Sequence, residues 1–410
     1  MYNGRKKTEG VQGSKCKMES LSERNENQRY ENAKKWKKRR KRINILLVTV
    51  VVVIGALISI WNYYTKCYKG YRVIDSIERI DASISEYTVY DDSLMKYSRD
   101  GAVGFNGKLD MIWSGSYDFA SPIIDVSGKY AAVADLDGKE IYVFNGSDSP
   151  KEIKVLYPIN LVRVASQGVV VVAMSREKSD LVQIYDSNNK ELLVEFTTNV
   201  SDDGYPVDMA FSSDGRKLVT TYLNVTNGKI TSKVTFYNLG EVGKNYSNNI
   251  VAAKTYDKEI ISRVEFIGKN NICAFGEKGY YLYSMRQLVS DINDATFKRT
   301  IKSIFFTDEY YGFVLESGTG KTSYALELYD SNGKIKFEKT FNYPYKKVYM
   351  VEDEIIFLAD QECHILRTNG TEKFDCQFKS PVSYIMPAEG YNHYMLVDDN
   401  SISTIKIVGD

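Results

Sequence analysis

One pattern recurs along most of this chain and restricts its fold more than any other feature. An apolar strand, usually ending in an aromatic residue, runs into a polar turn of Asn, Gly and Asp and then into another strand. Examples are Tyr142-Val143-Phe144-Asn145-Gly146, Thr235-Phe236-Tyr237-Asn238 and Leu328-Tyr329-Asp330-Ser331-Asn332-Gly333. Aligning the residue before each turn (105, 144, 185, 237, 283, 329 and 367) gives steps of 39, 41, 52, 46, 46 and 38. A period of about 40–50 residues, each holding about four strands, predicts an all-β fold of the β-propeller type. A pair of two-sheet sandwiches would not produce this spacing.

Single strands are legible within a period. Pro122 to Val126, Tyr130 to Ala134, Lys139 to Phe144 and Lys151 to Tyr157 are separated by turn residues such as Ser127-Gly128 and Asp137-Gly138. Alternation of apolar and polar residues is only partial in stretches such as Lys217 to Tyr222, as expected for strands sandwiched between neighbouring blades. Seven units carry the full hairpin. An eighth, made of Val382 to Met386, Tyr394 to Val397 and Ile402 to Val408, lacks a fourth strand, which residues 71–82 are free to supply. Pairing the two ends of the chain would remove exposed edges, so eight blades are favoured, with seven as the alternative.

Ahead of the repeats lies a different composition. Residues 1–43 hold 15 Lys/Arg and 5 Glu, a net of +10, while the other 39 Lys/Arg and 48 Asp/Glu leave the remainder at −9. Residues 1–33 are polar and without apolar periodicity, which predicts disorder through the tail. The run Lys34, Lys35, Trp36, Lys37, Lys38, Arg39, Arg40, Lys41, Arg42 follows, and then Ile43 to Tyr64 contains no charged residue. Twenty-two helical residues reach about 33 Å, enough to cross a hydrocarbon core of about 30 Å. Trp61, Tyr63 and Tyr64 fit an interfacial belt. The denser cations before the segment predict a cytoplasmic N-terminus and an extracellular C-terminal domain. No small-residue cleavage site follows, which points to an uncleaved signal-anchor. The basic run is accounted for by topology and by contact with anionic headgroups. The expected organisation is therefore a basic tail at 1–42, a transmembrane helix at 43–64 and an extracytoplasmic propeller at 71–410.

Several of these residues also resemble known sequences. Phe211-Ser212-Ser213-Asp214-Gly215-Arg216-Lys217-Leu218 resembles the hairpin of WD40-like propellers. Gly107-Lys108-Leu109 with Trp113 resembles a blade of quinoprotein-type propellers. Gly204-Tyr205-Pro206-Val207-Asp208, followed by Phe236-Tyr237-Asn238-Leu239-Gly240-Glu241-Val242-Gly243, is similar to an uncharacterised, domain-of-unknown-function family of membrane-anchored propellers from Gram-positive bacteria. That likeness spans about residues 40–408. It implies fold and topology and no activity.

Chemical motifs are sparse. No vicinal cysteines support quinone chemistry, and the two histidines, His364 and His393, fall in separate repeats, so neither metal ligation nor His-based catalysis is expected. Ser317-Gly318-Thr319-Gly320-Lys321-Thr322 imitates the end of a phosphate loop, yet Leu315 stands where glycine is needed and no helix follows. The pairs Asp202-Asp203 and Asp398-Asp399 read as turn residues. No catalytic, cofactor-binding or metal-binding residue is assigned, and no cofactor is implied. If Asn369-Gly370 forms a two-residue turn, residues pair when their numbers sum to 739. Cys363 then faces Cys376 at a non-hydrogen-bonded site, which suits a disulfide in an extracytoplasmic domain.

These features predict a membrane-tethered binding or scaffolding module. The bilayer holds it through one helix, and an unknown protein or envelope polymer meets the propeller loops. Nucleic acid is not expected at an acidic propeller. The alternative is a carbohydrate-active enzyme, a hydrolase or lyase with carboxylates in the propeller funnel.

Overall fold

The computed structural model describes residues 10–79, 85–146, 149–177, 179–188, 190–318 and 323–409, and divides into two units between Lys66 and Cys67. The first unit is one 56-residue helix, Gly10–Thr65. Helix where disorder was expected is a difference from the sequence reading. No proline interrupts this stretch, and its Lys, Arg, Glu, Leu and Met are good helix formers. Met1–Glu9 lie outside the described residues. Within the helix, Gln28–Ser59 is long and apolar enough to cross a membrane. Lys34, Lys35, Lys37, Lys38, Arg39, Arg40, Lys41 and Arg42 are all exposed, with the Arg40 guanidinium 5.2 Å from the Trp36 ring.

The second unit is an eight-bladed β-propeller in which every blade is a four-stranded antiparallel sheet. Inner strands of blades 1 to 8 are Glu86–Tyr90, Pro122–Ser127, Ile159–Val164, Tyr205–Phe211, Ile261–Ile267, Ile301–Phe306, Lys347–Val351 and Val382–Pro387. The aligned aromatic hairpins of the sequence sit on the third strand of blades 1 to 7. Blade 8 closes as its composition predicted: Gly70–Glu78 supplies the outer strand, paired antiparallel with Ser401–Val408 from Gly70↔Val408 to Glu78↔Ser401. N-terminal and C-terminal strands are thus joined in one sheet, so the ring has no open seam.

Second strands are buried almost throughout, as in Tyr130–Asp135 and Val169–Ser175, because a neighbouring blade covers each face. That burial removes the alternation a one-sided strand would show. The apolar clusters accordingly lie between adjacent blades. Ala132 and Ala134 of blade 2 pack with Val170 and Met174 of blade 3, and Phe236 of blade 4 packs with Ile272 and Tyr283 of blade 5. Seven of the eight outer strands carry a register shift, with Ile74, Ile112, Leu193 and Ile292 among the bulged residues. Bulges twist an exposed edge away from pairing with another chain.

Candidate functional site

Inner strands converge on the centre of the ring, where their side chains decide what the protein can hold. The turns from first to second strand of blades 1, 6 and 7 carry Asp91-Asp92, Asp308-Glu309 and Glu352-Asp353. All six residues line one cavity of about 920 Å³. A second cavity of about 630 Å³ shares Asp91, Asp92 and Glu352 and adds Glu389 from blade 8. Lys347 is the cation on the wall of the larger one.

One of these turns is built against local preference. Asp91-Asp92 lies between the paired residues Tyr90 and Ser93, and Glu352-Asp353 between Val351 and Glu354. Asp91 has φ 52° and Glu352 has φ 50°, the left-handed region that two-residue hairpins fill with Asn, Asp or Gly. Asp91 suits that position, whereas Glu352 occupies one where Asn, Asp or Gly would fold more easily, and residues held at such angles cluster at functional sites. Burial raises the Glu352 carboxyl above its usual range, and Glu354, Asp92 and Asp353 add to the rise.

Tyrosines form the wall below. The rings of Tyr349 and Tyr384 stack at 5.0 Å with an interplanar angle of 6°. The Tyr349 hydroxyl donates to Ile385 O at 2.7 Å and accepts from Ile385 N–H at 3.1 Å, tying blade 7 to blade 8. On the opposite wall the same role falls to carboxylates. Asp125 of blade 2 accepts from Val164 N–H of blade 3 at 2.8 Å, and Asp208 of blade 4 accepts from Val264 N–H of blade 5 at 3.0 Å.

Arginines link these carboxylates into a ladder across four consecutive blades. Arg163 meets Asp125 at 3.8 Å and forms a short ion pair with Asp208. Arg263 meets Asp208 at 3.4 Å and Glu265 at 2.6 Å. Sequence reasoning passed over this ladder. Its signal was a single charge in each of several otherwise apolar inner strands, as in Ile123-Ile124-Asp125-Val126 and Leu161-Val162-Arg163-Val164.

Residues singled out from sequence are placed as follows. Cys363 and Cys376 are direct cross-strand partners, as the sum of 739 required, and both are buried free thiols. The site differs in kind from the expected one. Phe378 N–H donates to Gln361 O, while Asp375 N–H turns outward to Tyr68 O, so the 361/378, 363/376 and 365/374 pairs are the hydrogen-bonded ones. The turn holds three residues, with Arg367 N–H bonded to Thr371 O, and a bulge at Lys373 restores the count. Hydrogen-bonded pairs hold their Cα atoms about 5.5 Å apart rather than about 4.5 Å, a separation within the disulfide range, with the side chains less closely opposed than at the expected kind of site.

His364 and His393 lie in blades 7 and 8. His364 stacks on Tyr343 at 3.7 Å, with Nδ1 3.3 Å from Glu372, whose carboxyl is held below its usual range chiefly by that hydrogen bond. Asp203 pairs with Lys233 at 2.5 Å, and Asp398 accepts from Asn400 and Ser401 N–H in a turn. Thr319 to Thr322 of the loop resembling a phosphate-binding turn lie outside the described residues. Among the described residues no group of three or more His, Cys, Asp or Glu is arranged to hold a metal.

Residues 63–407 match the model of a family of unknown function, DUF5711. Among solved structures, Sqt1 of Saccharomyces cerevisiae is similar with a TM-score of 0.54 at 10% identity, covering 84% of this chain and 100% of that one. AztD of Citrobacter koseri is similar with a TM-score of 0.49 at 8% identity over 72% and 87%, and BamB of Moraxella catarrhalis with 0.48 at 12% over 82% and 100%. At these identities the likeness is one of fold. No curated protein matches the sequence.

Proposed function

For a chain that belongs to the DUF5711 family, we propose a binding role: a propeller tethered beyond a membrane takes a cationic partner, a protein segment or an envelope polymer, at the acidic mouth of its central cavity. The observation that carries this reading is the convergence of six carboxylates from blades 1, 6 and 7 on one cavity with a single lysine on its wall. A surface potential of one sign in a walled cleft concentrates ligands of the opposite sign. Tethering through Ile43–Tyr64 would keep the domain at high effective concentration near its partner. The basic run 34–42 would rest on anionic headgroups on the cytoplasmic side.

A photo-crosslinking residue at Asp353 in the full chain, with another at Val225 on the opposite face, tests the assignment in intact cells. Adducts from position 353 that diminish when Asp92 and Glu309 are neutralised support it. Equal labelling from both faces, unmoved by neutralisation, overturns it.

One observation favours a second reading, a glycan-active hydrolase or lyase. The raised carboxyl of Glu352 stands among carboxylates above a tyrosine wall, and a general acid needs such a carboxyl. Glycan cleavage by the full chain that is lost in Glu352→Gln would carry this reading.

A further inference from the structure

The ladder Asp125–Arg163–Asp208–Arg263–Glu265 sets three carboxylates against two guanidiniums. Its side chains grade from buried to half-exposed: Asp208 is 4% exposed, Arg163 12%, Glu265 17%, Asp125 24% and Arg263 36%. Full ionisation would leave one negative charge in excess within this wall. A buried charge without a counter-ion is costly, and a carboxyl in that position takes a proton instead.

The groups facing Glu265 come from every neighbouring element. Arg263 lies on its own strand, Asp208 on the inner strand of blade 4, Arg163 on that of blade 3 and Asp125 on that of blade 2. Cys273 is its cross-strand partner within blade 5, and blade 6 contributes the Phe306 ring, 5.2 Å from the Arg263 guanidinium.

We propose that the ladder is a proton-sensing element in which Glu265 and Asp125, at its two ends, hold one proton between them, and that loss of this proton to solvent as pH rises loosens the joined inner strands of blades 2 to 5. Burial pushes Glu265 up to about 7, with Asp208 and Asp125 adding to the rise and the two guanidiniums opposing it. Burial also raises Asp125. Interacting carboxyls titrate together, so the proton belongs to Glu265 and Asp125 as a pair rather than to one oxygen. The sign follows from linkage: a carboxyl whose folded value lies above its unfolded value contributes stability at acidic pH. That contribution is lost as pH rises from about 4.5 through about 7.

Thermal unfolding of the full chain in detergent, from pH 5 to pH 8.5, tests this with Glu265→Gln and Asp125→Asn. Relative to Glu265→Gln, the unmodified chain should lose on the order of 5 °C in Tm between pH 5 and pH 8. Asp125→Asn keeps an oxygen for Val164 N–H and removes the surplus charge, so its loss should be smaller and complete at lower pH. Parallel curves for the unmodified chain and Glu265→Gln would overturn the proposal. So would a loss unmoved by Asp125→Asn, which would assign the proton to Glu265 alone. Should Glu265→Gln fail to fold, infrared spectra of the unmodified chain and of Asp125→Asn decide the matter. A protonated-carboxyl band present at about pH 6.5, where ordinary carboxyls are ionised, gone at pH 8.5 and weakened in Asp125→Asn supports the ladder, and a band absent at pH 6.5 or unmoved in Asp125→Asn contradicts it.

Discussion

Tyr68 and Phe374 form a parallel bridge at the outer edge of blade 7. Tyr68 N–H donates to Lys373 O at 2.9 Å, Asp375 N–H donates to Tyr68 O at 3.0 Å, and the tyrosine is only 6% exposed. Its hydroxyl lies 3.0 Å from that of Tyr391 in blade 8. Residues 67–69 therefore clasp blade 7 just before residues 70–78 complete blade 8. Tyr68→Ala should cost about 3 kcal/mol of stability, as for other buried aromatics, and Tyr68→Phe about 1 kcal/mol. Thermal or denaturant unfolding of the full chain measures both. An unchanged Tyr68→Ala variant would show that the clasp contributes nothing to the ring.

Gly104 sits against Trp113 so closely that an added Cβ would come within 2.2 Å of the indole Nε1. Trp113 in turn packs between Tyr90 at 5.0 Å and Phe144 at 4.9 Å, joining blades 1 and 2. Gly104→Ala should destabilise the domain by about 1–3 kcal/mol through overpacking and shift Trp113 emission to the red. Unaltered emission and stability would mean that the indole has room to move.

Cys363 and Cys376 face each other at the wider, hydrogen-bonded kind of site, and burial raises both thiols above their ordinary range. Peptide mapping under non-reducing conditions should recover both unlinked, with neither alkylated until the chain unfolds. A linked pair of peptides would show instead that the two facing thiols close into a disulfide across the hairpin.

The parts of the fold legible in sequence were those repeated in cis. Third strands ending in Phe105, Phe144 or Tyr185 and the turns after them recur once per blade, so the period and the ring closure by residues after 70 could be counted. What the count missed depends on contacts between blades. Asp125, Arg163, Asp208 and Arg263 lie 38, 45 and 55 residues apart and meet only because the ring brings inner strands together. The cysteine pair shows a subtler limit. A turn one residue longer than assumed and a bulge at Lys373 cancel in the sum of residue numbers, yet they exchange hydrogen-bonded for non-hydrogen-bonded positions. At the cavity mouth, nothing local separates Asp91-Asp92 and Glu352-Asp353 from other polar turns, and only the ring brings them around one cavity.

We propose a propeller held on the outer side of a membrane, and protease shaving of intact cells tests that most directly. Mass spectrometry should recover released peptides from residues 71–410 while those from residues 10–42 stay protected. Cleavage of the tail with the propeller protected would contradict the account and place the acidic cavity in the cytoplasm.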